Sequence, residues 1–154
     1  MKGLKTILMA EDNPKDVELT LEAMSGINLA NHITVVKDGV EALEYLRREG
    51  KFKERKRGNP AFLLLDIKMP RMDGIELLRI IQSDSKLKMI PVVILTSSKE
   101  EKDLFESYNL GVNAYVVKPV NFKDFVVTVK QIGAFWAVIN ELPPEGDYED
   151  ETQN

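Results

Sequence analysis

The chain has 154 residues, with 21 Lys and Arg against 25 Asp and Glu, one His and no Cys, for a formal charge of −4. This length, with 44% apolar residues, suits one globular domain. The lack of cysteine excludes a disulfide framework, a thiolate nucleophile and Cys-bound zinc or iron–sulfur. A mildly acidic body is a poor design for a duplex-binding protein, and no run approaches the ~20 apolar residues of a membrane span, so cytoplasmic residence without direct DNA or membrane contact is expected.

The first apolar run, Thr6–Ala10 (TILMA), is strand-like by length and ends in Glu11–Asp12. Asn13 then caps a helix carrying Val17, Leu21 and Met24, with Pro14 where its missing N–H costs little and Asp16 as the acid three residues after the cap. A second strand, Ile33–Val36 (ITVV), leads to Asp38, cap of a helix with Val40, Leu43 and Leu46 that should stop near Gly50. Residues 47–57 (RREGKFKERKR) hold seven bases and two acids and read as a solvated helix end and loop, an insertion spanning 47–60. The third strand, Phe62–Leu65 (FLLL), ends in Asp66, and Asp73 caps a helix with Ile75, Leu78 and Ile81.

Val92–Leu95 (VVIL) runs into Thr96–Ser97, and Ser98, with Glu101 three residues on, is expected to cap a helix carrying Leu104, Phe105 and Tyr108 that Gly111 terminates. The fifth strand, Ala114–Val117 (AYVV), ends in Lys118–Pro119, and Asn121 caps an extended last helix expected over about 121–142. On that helix Phe122, Val126, Val129, Ile132 and Trp136 form a stripe for the core. Phe135, Val138, Ile139 and Leu142 are left without a place to be buried, which favours a homodimer interface over further packing within the chain. The domain is therefore read as 1–142, and 143–154 as an acidic, disordered tail.

Five repeats of strand and helix, with runs apolar throughout rather than alternating, indicate a doubly wound α/β fold whose parallel sheet is covered on both faces. Five cap-and-acid pairs in phase with the strands support the helices independently.

In such a sheet, ligands bind beyond the carboxyl ends of the strands. Those ends bring together Glu11, Asp12, Asp66, Thr96 and Lys118. Three clustered carboxylates repel, and a hard divalent cation with oxygen ligands relieves this, which describes Mg²⁺. With Mg²⁺ on one side, Lys118 on the other and a hydrogen bond from Thr96, a carboxylate can take up a phosphoryl group as nucleophile. Asp66, ending a central strand, is the candidate; Glu11 and Asp12 are better placed as metal ligands.

The acid pair in AEDNP, the acceptor in LLLDIKMPRMDG, the hydroxyl in VVILTSS and the lysine in AYVVKP resemble, in order, the receiver domain of bacterial two-component response regulators over about residues 5–130. The resemblance implies a five-stranded, flavodoxin-like sheet of order 2-1-3-4-5. It implies phosphorylation of Asp66 by a sensor histidine kinase or phosphotransfer protein, Mg²⁺ held by Glu11, Asp12, Asp66 and the backbone carbonyl of Lys68, and Lys118 on the phosphoryl group. It implies a switch in which Thr96 moves toward the phosphate and Tyr115 turns inward, and a cis bond before Pro119. Output would pass by protein contacts to a downstream effector. NPKDVELTLEA, the basic insertion and QIGAFWAVINELPP are similar to stand-alone receivers paired with phytochrome-type kinases. Lys68 and Ser98 depart from the residues common at their positions, which concerns phosphate lifetime. Two other readings stand beside this one: a receiver-fold interaction module that is never phosphorylated, and a Mg²⁺-dependent aspartyl-phosphate phosphatase, whose pattern wants an acid where Lys68 stands.

Overall fold

The computed structural model describes residues 5–144. In chain order it contains β1 (Ile7–Ala10), α1 (Pro14–Ser25), β2 (Ile33–Val36), α2 (Gly39–Arg47), β3 (Phe62–Leu65), α3 (Gly74–Ser83), β4 (Val92–Thr96), α4 (Glu101–Asn109), β5 (Ala114–Val117) and α5 (Phe122–Gly133). The five strands are parallel in the order β2-β1-β3-β4-β5. β1, β3 and β4 are buried along their whole length, whereas the edge strands are largely half-buried.

Alternate residues of each central strand enter different cores, as the period of two requires. Leu8, Leu63, Leu65 and Ile94 pack with residues of α2 and α3 on one face. Ile7, Met9, Phe62, Leu64 and Val93 pack with α1 and α5 on the other. The unalternating runs therefore mark strands covered on both sides. Along the α1–α5 contact Gly133 permits close approach, since a Cβ there would sit 2.8 Å from Met24 Sδ.

Four of the five expected caps form. Asn13 accepts N–H bonds from Lys15 and Asp16, Asp38 from Glu41, Asp73 from Glu76, and Asn121 from Lys123 and Asp124. The fifth differs. α4 starts after Glu100, without a side-chain cap, and Ser98 instead donates its hydroxyl to Asp103 Oδ2 at 2.6 Å.

The last helix is shorter and turned differently from the expectation of 121–142. After Gly133 it continues as six π-helical residues, Ala134–Ile139, and stops at Asn140, whose N–H reaches back to the Phe135 carbonyl at 2.7 Å. The prolines at 143 and 144 disfavour helix in the residues before them. Phe122 is not in the core stripe: it is 58% exposed, and Phe125 takes its place with Val129 and Ile132. Phe135, Val138, Ile139 and Leu142 are exposed, as expected. Leu142 with Pro143 and Pro144 also lines a small cavity against Asn59, Pro60, Ile90 and Pro91, so the chain runs under the entries to β3 and β4 before the described residues end. The rest of the acidic tail, expected to be disordered, lies outside the described residues.

The basic insertion is partly built in. α2 ends at Arg47, three residues ahead of Gly50, because Arg48 adopts the left-handed conformation at φ 57°. Arg55 donates to the carbonyls of Tyr45, Leu46, Lys56 and Gly58, and its guanidinium lies 4.2 Å from the Tyr45 ring centroid. A cation at the C-terminal carbonyls of α2 suits the helix dipole. Every peptide bond among the described residues is trans, Lys118–Pro119 included, which differs from the cis bond the resemblance implied. Trans is the lower-energy isomer even before proline.

Candidate functional site

Parallel strands put the ends of β1, β3, β4 and β5 on one edge, and the expected residues meet there. Glu11 and Asp66 are buried directly after β1 and β3, and Asp12 is exposed beside them. One carboxylate oxygen from each of Glu11, Asp12 and Asp66 lies within 4.8 Å of the others. An all-oxygen donor set of this kind fits a hard divalent cation.

Asp66 is anchored from below and above. Its Oδ1 accepts the Ile67 N–H at 2.8 Å, while its backbone N–H donates to the Ala10 carbonyl at 3.1 Å. The loop after it folds back so that the Gly74 N–H donates to the Ile67 carbonyl at 2.9 Å. Position 74 must be small, because a Cβ there would collide with the Asp66 carbonyl oxygen. Arg71 pins the same loop, with Nε 2.8 Å and Nη2 3.2 Å from the two carboxylate oxygens of Asp38, the α2 cap. Lys68 is exposed on that loop, two residues past Asp66.

Lys118 supplies the positive charge. Its ammonium lies 2.7 Å from Glu11 Oε1, 2.7 Å from Asp16 Oδ2 and 3.2 Å from Asp66 Oδ2. Burial is the largest influence on Lys118 and by itself would lower its pKa. The hydrogen bonds to Asp16 and Glu11, with the Asp66 charge, nonetheless hold it above the ordinary lysine range. Burial is also the largest influence on Glu11; it outweighs the Lys118 hydrogen bond and, with Asp66 beside it, raises the carboxyl to about 7. Both partners of one ion pair move up because a single ammonium faces three carboxylates. Since a ligating carboxylate must give up its proton, a cation at this site competes with protonation of Glu11 below about pH 7.

Thr96 is fully buried at the end of β4, its Oγ1 accepting the Ser98 N–H at 3.3 Å. Tyr115 packs against the α2–α3 core, and its hydroxyl donates to the Ser98 carbonyl at 3.0 Å. Both therefore hold the loop between β4 and α4. Phe135, Val138 and Ile139 belong to the far end of the last helix and Leu142 to the segment after it, and none is part of this cluster. Asp16 is the member that sequence reasoning missed. Three residues after a cap, its acid looks like helix-end chemistry, and no pattern in the chain reveals that its side chain goes elsewhere.

The arrangement agrees with what the chain is similar to. The profile of the response regulator receiver domain matches residues 7–130. The response regulator Rcp1 of Synechocystis sp. (strain ATCC 27184 / PCC 6803 / Kazusa) is 37% identical over 139 residues, 90% of this chain and 93% of that one. The Mn(2+)-bound form of Rcp1 superposes with a TM-score of 0.84 at 36% identity, covering 91% of this chain and 99% of that one. The phosphorylated cyanobacterial phytochrome response regulator RcpA gives a TM-score of 0.85 at 41% identity, covering 92% of this chain and all (100%) of the other. The bacteriophytochrome response regulator RtBRR gives 0.73 at 52% identity, covering 98% of this chain and 91% of that one. Among the described residues no helix is long and apolar enough to cross a membrane. Fold, edge chemistry and similarity agree: the chain belongs to the response regulator receiver domain family.

Proposed function

We propose that this protein is a response regulator that accepts a phosphoryl group on Asp66 from a sensor histidine kinase or phosphotransfer protein, in a Mg²⁺-dependent reaction. The observation that carries the reading is the position of the Asp66 carboxylate, shared between the Lys118 ammonium at 3.2 Å and an all-oxygen set able to hold a cation. An Asp66 oxygen attacks phosphorus, the new O–P bond forms as the donor's P–N bond breaks, and the departing imidazole takes a proton from solvent. Glu11, Asp12, Asp66 and the Lys68 carbonyl would hold Mg²⁺, which neutralises charge on the phosphoryl oxygens when bound. Lys118 would donate to the phosphoryl group.

Thr96 and Tyr115 form the switch. Each bonds to Ser98, so a Thr96 hydroxyl drawn toward the phosphoryl group shifts the loop that sets the orientation of Tyr115, which turns inward. The change reaches the surface of α4, β5 and α5, where Leu104, Phe105, Tyr108 and Phe122 are exposed to a downstream protein effector. Similarity to phytochrome response regulators supports a phytochrome-type kinase as donor. Phe135, Val138, Ile139 and Leu142 form the contact with a second copy in a homodimer. The protein acts in the cytoplasm without direct DNA contact.

Incubation with Mg²⁺ and acetyl phosphate, resolved on a phosphate-affinity gel, tests the central step. A retarded, hydroxylamine-labile species should form, vanish in Asp66→Asn and fail to form in EDTA. Mg²⁺ affinity, measured by calorimetry, should weaken on acidification below about pH 7, where Glu11 protonates. Retardation that survives in Asp66→Asn refutes the assignment.

A further inference from the structure

An acid three residues after a helix cap ordinarily returns its carboxylate to the cap's own N–H. At α1 that place is taken: the Asn13 N–H donates to Glu11 Oε2 at 3.2 Å. The backbone of Asp16 is fixed without help from its side chain, since its N–H donates to Asn13 Oδ1 at 3.2 Å and its carbonyl accepts the Thr20 hydroxyl at 2.7 Å. The carboxylate, only 19% exposed, turns to Lys118 at 2.7 Å. Capping therefore does not account for its direction.

An ammonium has three N–H donors and no acceptor. Lys118 donates to Asp16 Oδ2 at 2.7 Å and Asp66 Oδ2 at 3.2 Å, and its ammonium forms an ion pair with Glu11 Oε1 at 2.7 Å. A phosphoryl oxygen arriving at Asp66 must compete with these three carboxylates for the ammonium. Asp16 also adds a negative charge that neither the metal set nor the acceptor requires. An approaching phosphodonor is an anion and meets that charge in a partly buried site, where screening by water is reduced.

We propose that Asp16 is a positioning residue that restrains phosphorylation, holding the Lys118 ammonium on the α1 side and opposing anionic phosphodonors. This rests on the reading of Asp66 as the acceptor. The Glu11 and Asp66 contacts keep Lys118 in the site when Asp16 is changed, so removing the Asp16 charge weakens the pull toward α1 without discarding the lysine.

The test is the initial rate of Asp66 labelling at saturating Mg²⁺ with two small donors, acetyl phosphate, a dianion at neutral pH, and phosphoramidate, a monoanion. Asp16→Asn keeps the shape and an acceptor oxygen while removing the charge; it should label about three- to tenfold faster with acetyl phosphate. The gain should be smaller with phosphoramidate and smaller in Asp16→Glu, which keeps the charge. Asp16→Ser, a residue well tolerated near helix starts, serves if the amide folds poorly, with circular dichroism as the check. A rate that is unchanged or slower, or a gain equal for the two donors, overturns the proposal; a structural role alone would not distinguish donors by charge. The two readings fail separately: wild-type protein that never labels on Asp66 removes the parent reading, whereas normal labelling with an indifferent Asp16→Asn removes only this one.

Discussion

α3 and α4 are helices of similar length, 10 and 9 residues, that follow the two central strands carrying Asp66 and Thr96, yet they bury opposite kinds of surface. α3 buries Ile75, Leu77, Leu78 and Ile81. α4 buries Asp103 and Ser107 and turns Leu104, Phe105 and Tyr108 outward, with Phe105 72% exposed. α3 is thus held by apolar core. α4 is held by polar links, the Ser98–Asp103 bond of 2.6 Å and the Arg79–Glu106 pair at 3.3 Å. A helix with few buried apolar contacts opens locally at low free energy. The proposed acceptor therefore sits beside a rigid element and the proposed output beside a yielding one, which is the division a receiver needs.

The largest test of that contrast lies in α3. Leu78→Ala should cost about 2–5 kcal/mol, the usual loss for a fully buried leucine, read as a lower midpoint in urea unfolding. The counterpart in α4, Leu104→Ala, should cost under about 0.5 kcal/mol. Equal losses would erase the distinction between the helices. Next comes the start of α3, where Gly74→Ala forces a methyl against the Asp66 carbonyl oxygen. A cost of about 1–3 kcal/mol is expected, with slower labelling of Asp66 in protein that still folds, because the loop carrying the acceptor must shift. Labelling at the normal rate would show that this loop is more tolerant than its packing indicates.

How much of this was legible beforehand follows from what each signal encodes. Strands such as FLLL and VVIL were readable because burial on both faces leaves no polar position to confuse the pattern. The site was readable because parallel strands deliver their carboxyl ends to one edge, so Glu11, Asp66, Thr96 and Lys118 needed only the strand boundaries. Periodicity at α4 showed a helix but not which side faced in, since Leu104, Phe105 and Tyr108 make an apolar stripe whether a core or a partner covers it. Phe122 misled for a similar reason: at the first residue of α5 it continues the stripe on paper but projects past the packed region, and Phe125 fills the core. Asp16 was hidden because the same residue at the same spacing serves a helix cap equally well, and only the position of the Glu11 carboxylate decides between the two uses.

The smallest expected effect is the sharpest probe of α4. Ser107 is completely buried, and its hydroxyl has no hydrogen-bond partner among the described residues. Leaving a buried donor unsatisfied costs about 1–3 kcal/mol, so Ser107→Ala removes a penalty along with one small atom and should leave stability unchanged or raise it by up to about 1 kcal/mol. In the α3 core the same kind of truncation only loses contacts. A Ser107→Ala variant that unfolds more easily in urea would mean that the hydroxyl is bonded and that α4 is seated more firmly than its outward-facing Leu104, Phe105 and Tyr108 suggest. A neutral or stabilised variant, with the Tyr115 hydroxyl still bound to the Ser98 carbonyl, would mark α4 as a helix kept below its attainable stability on the side where the signal must leave.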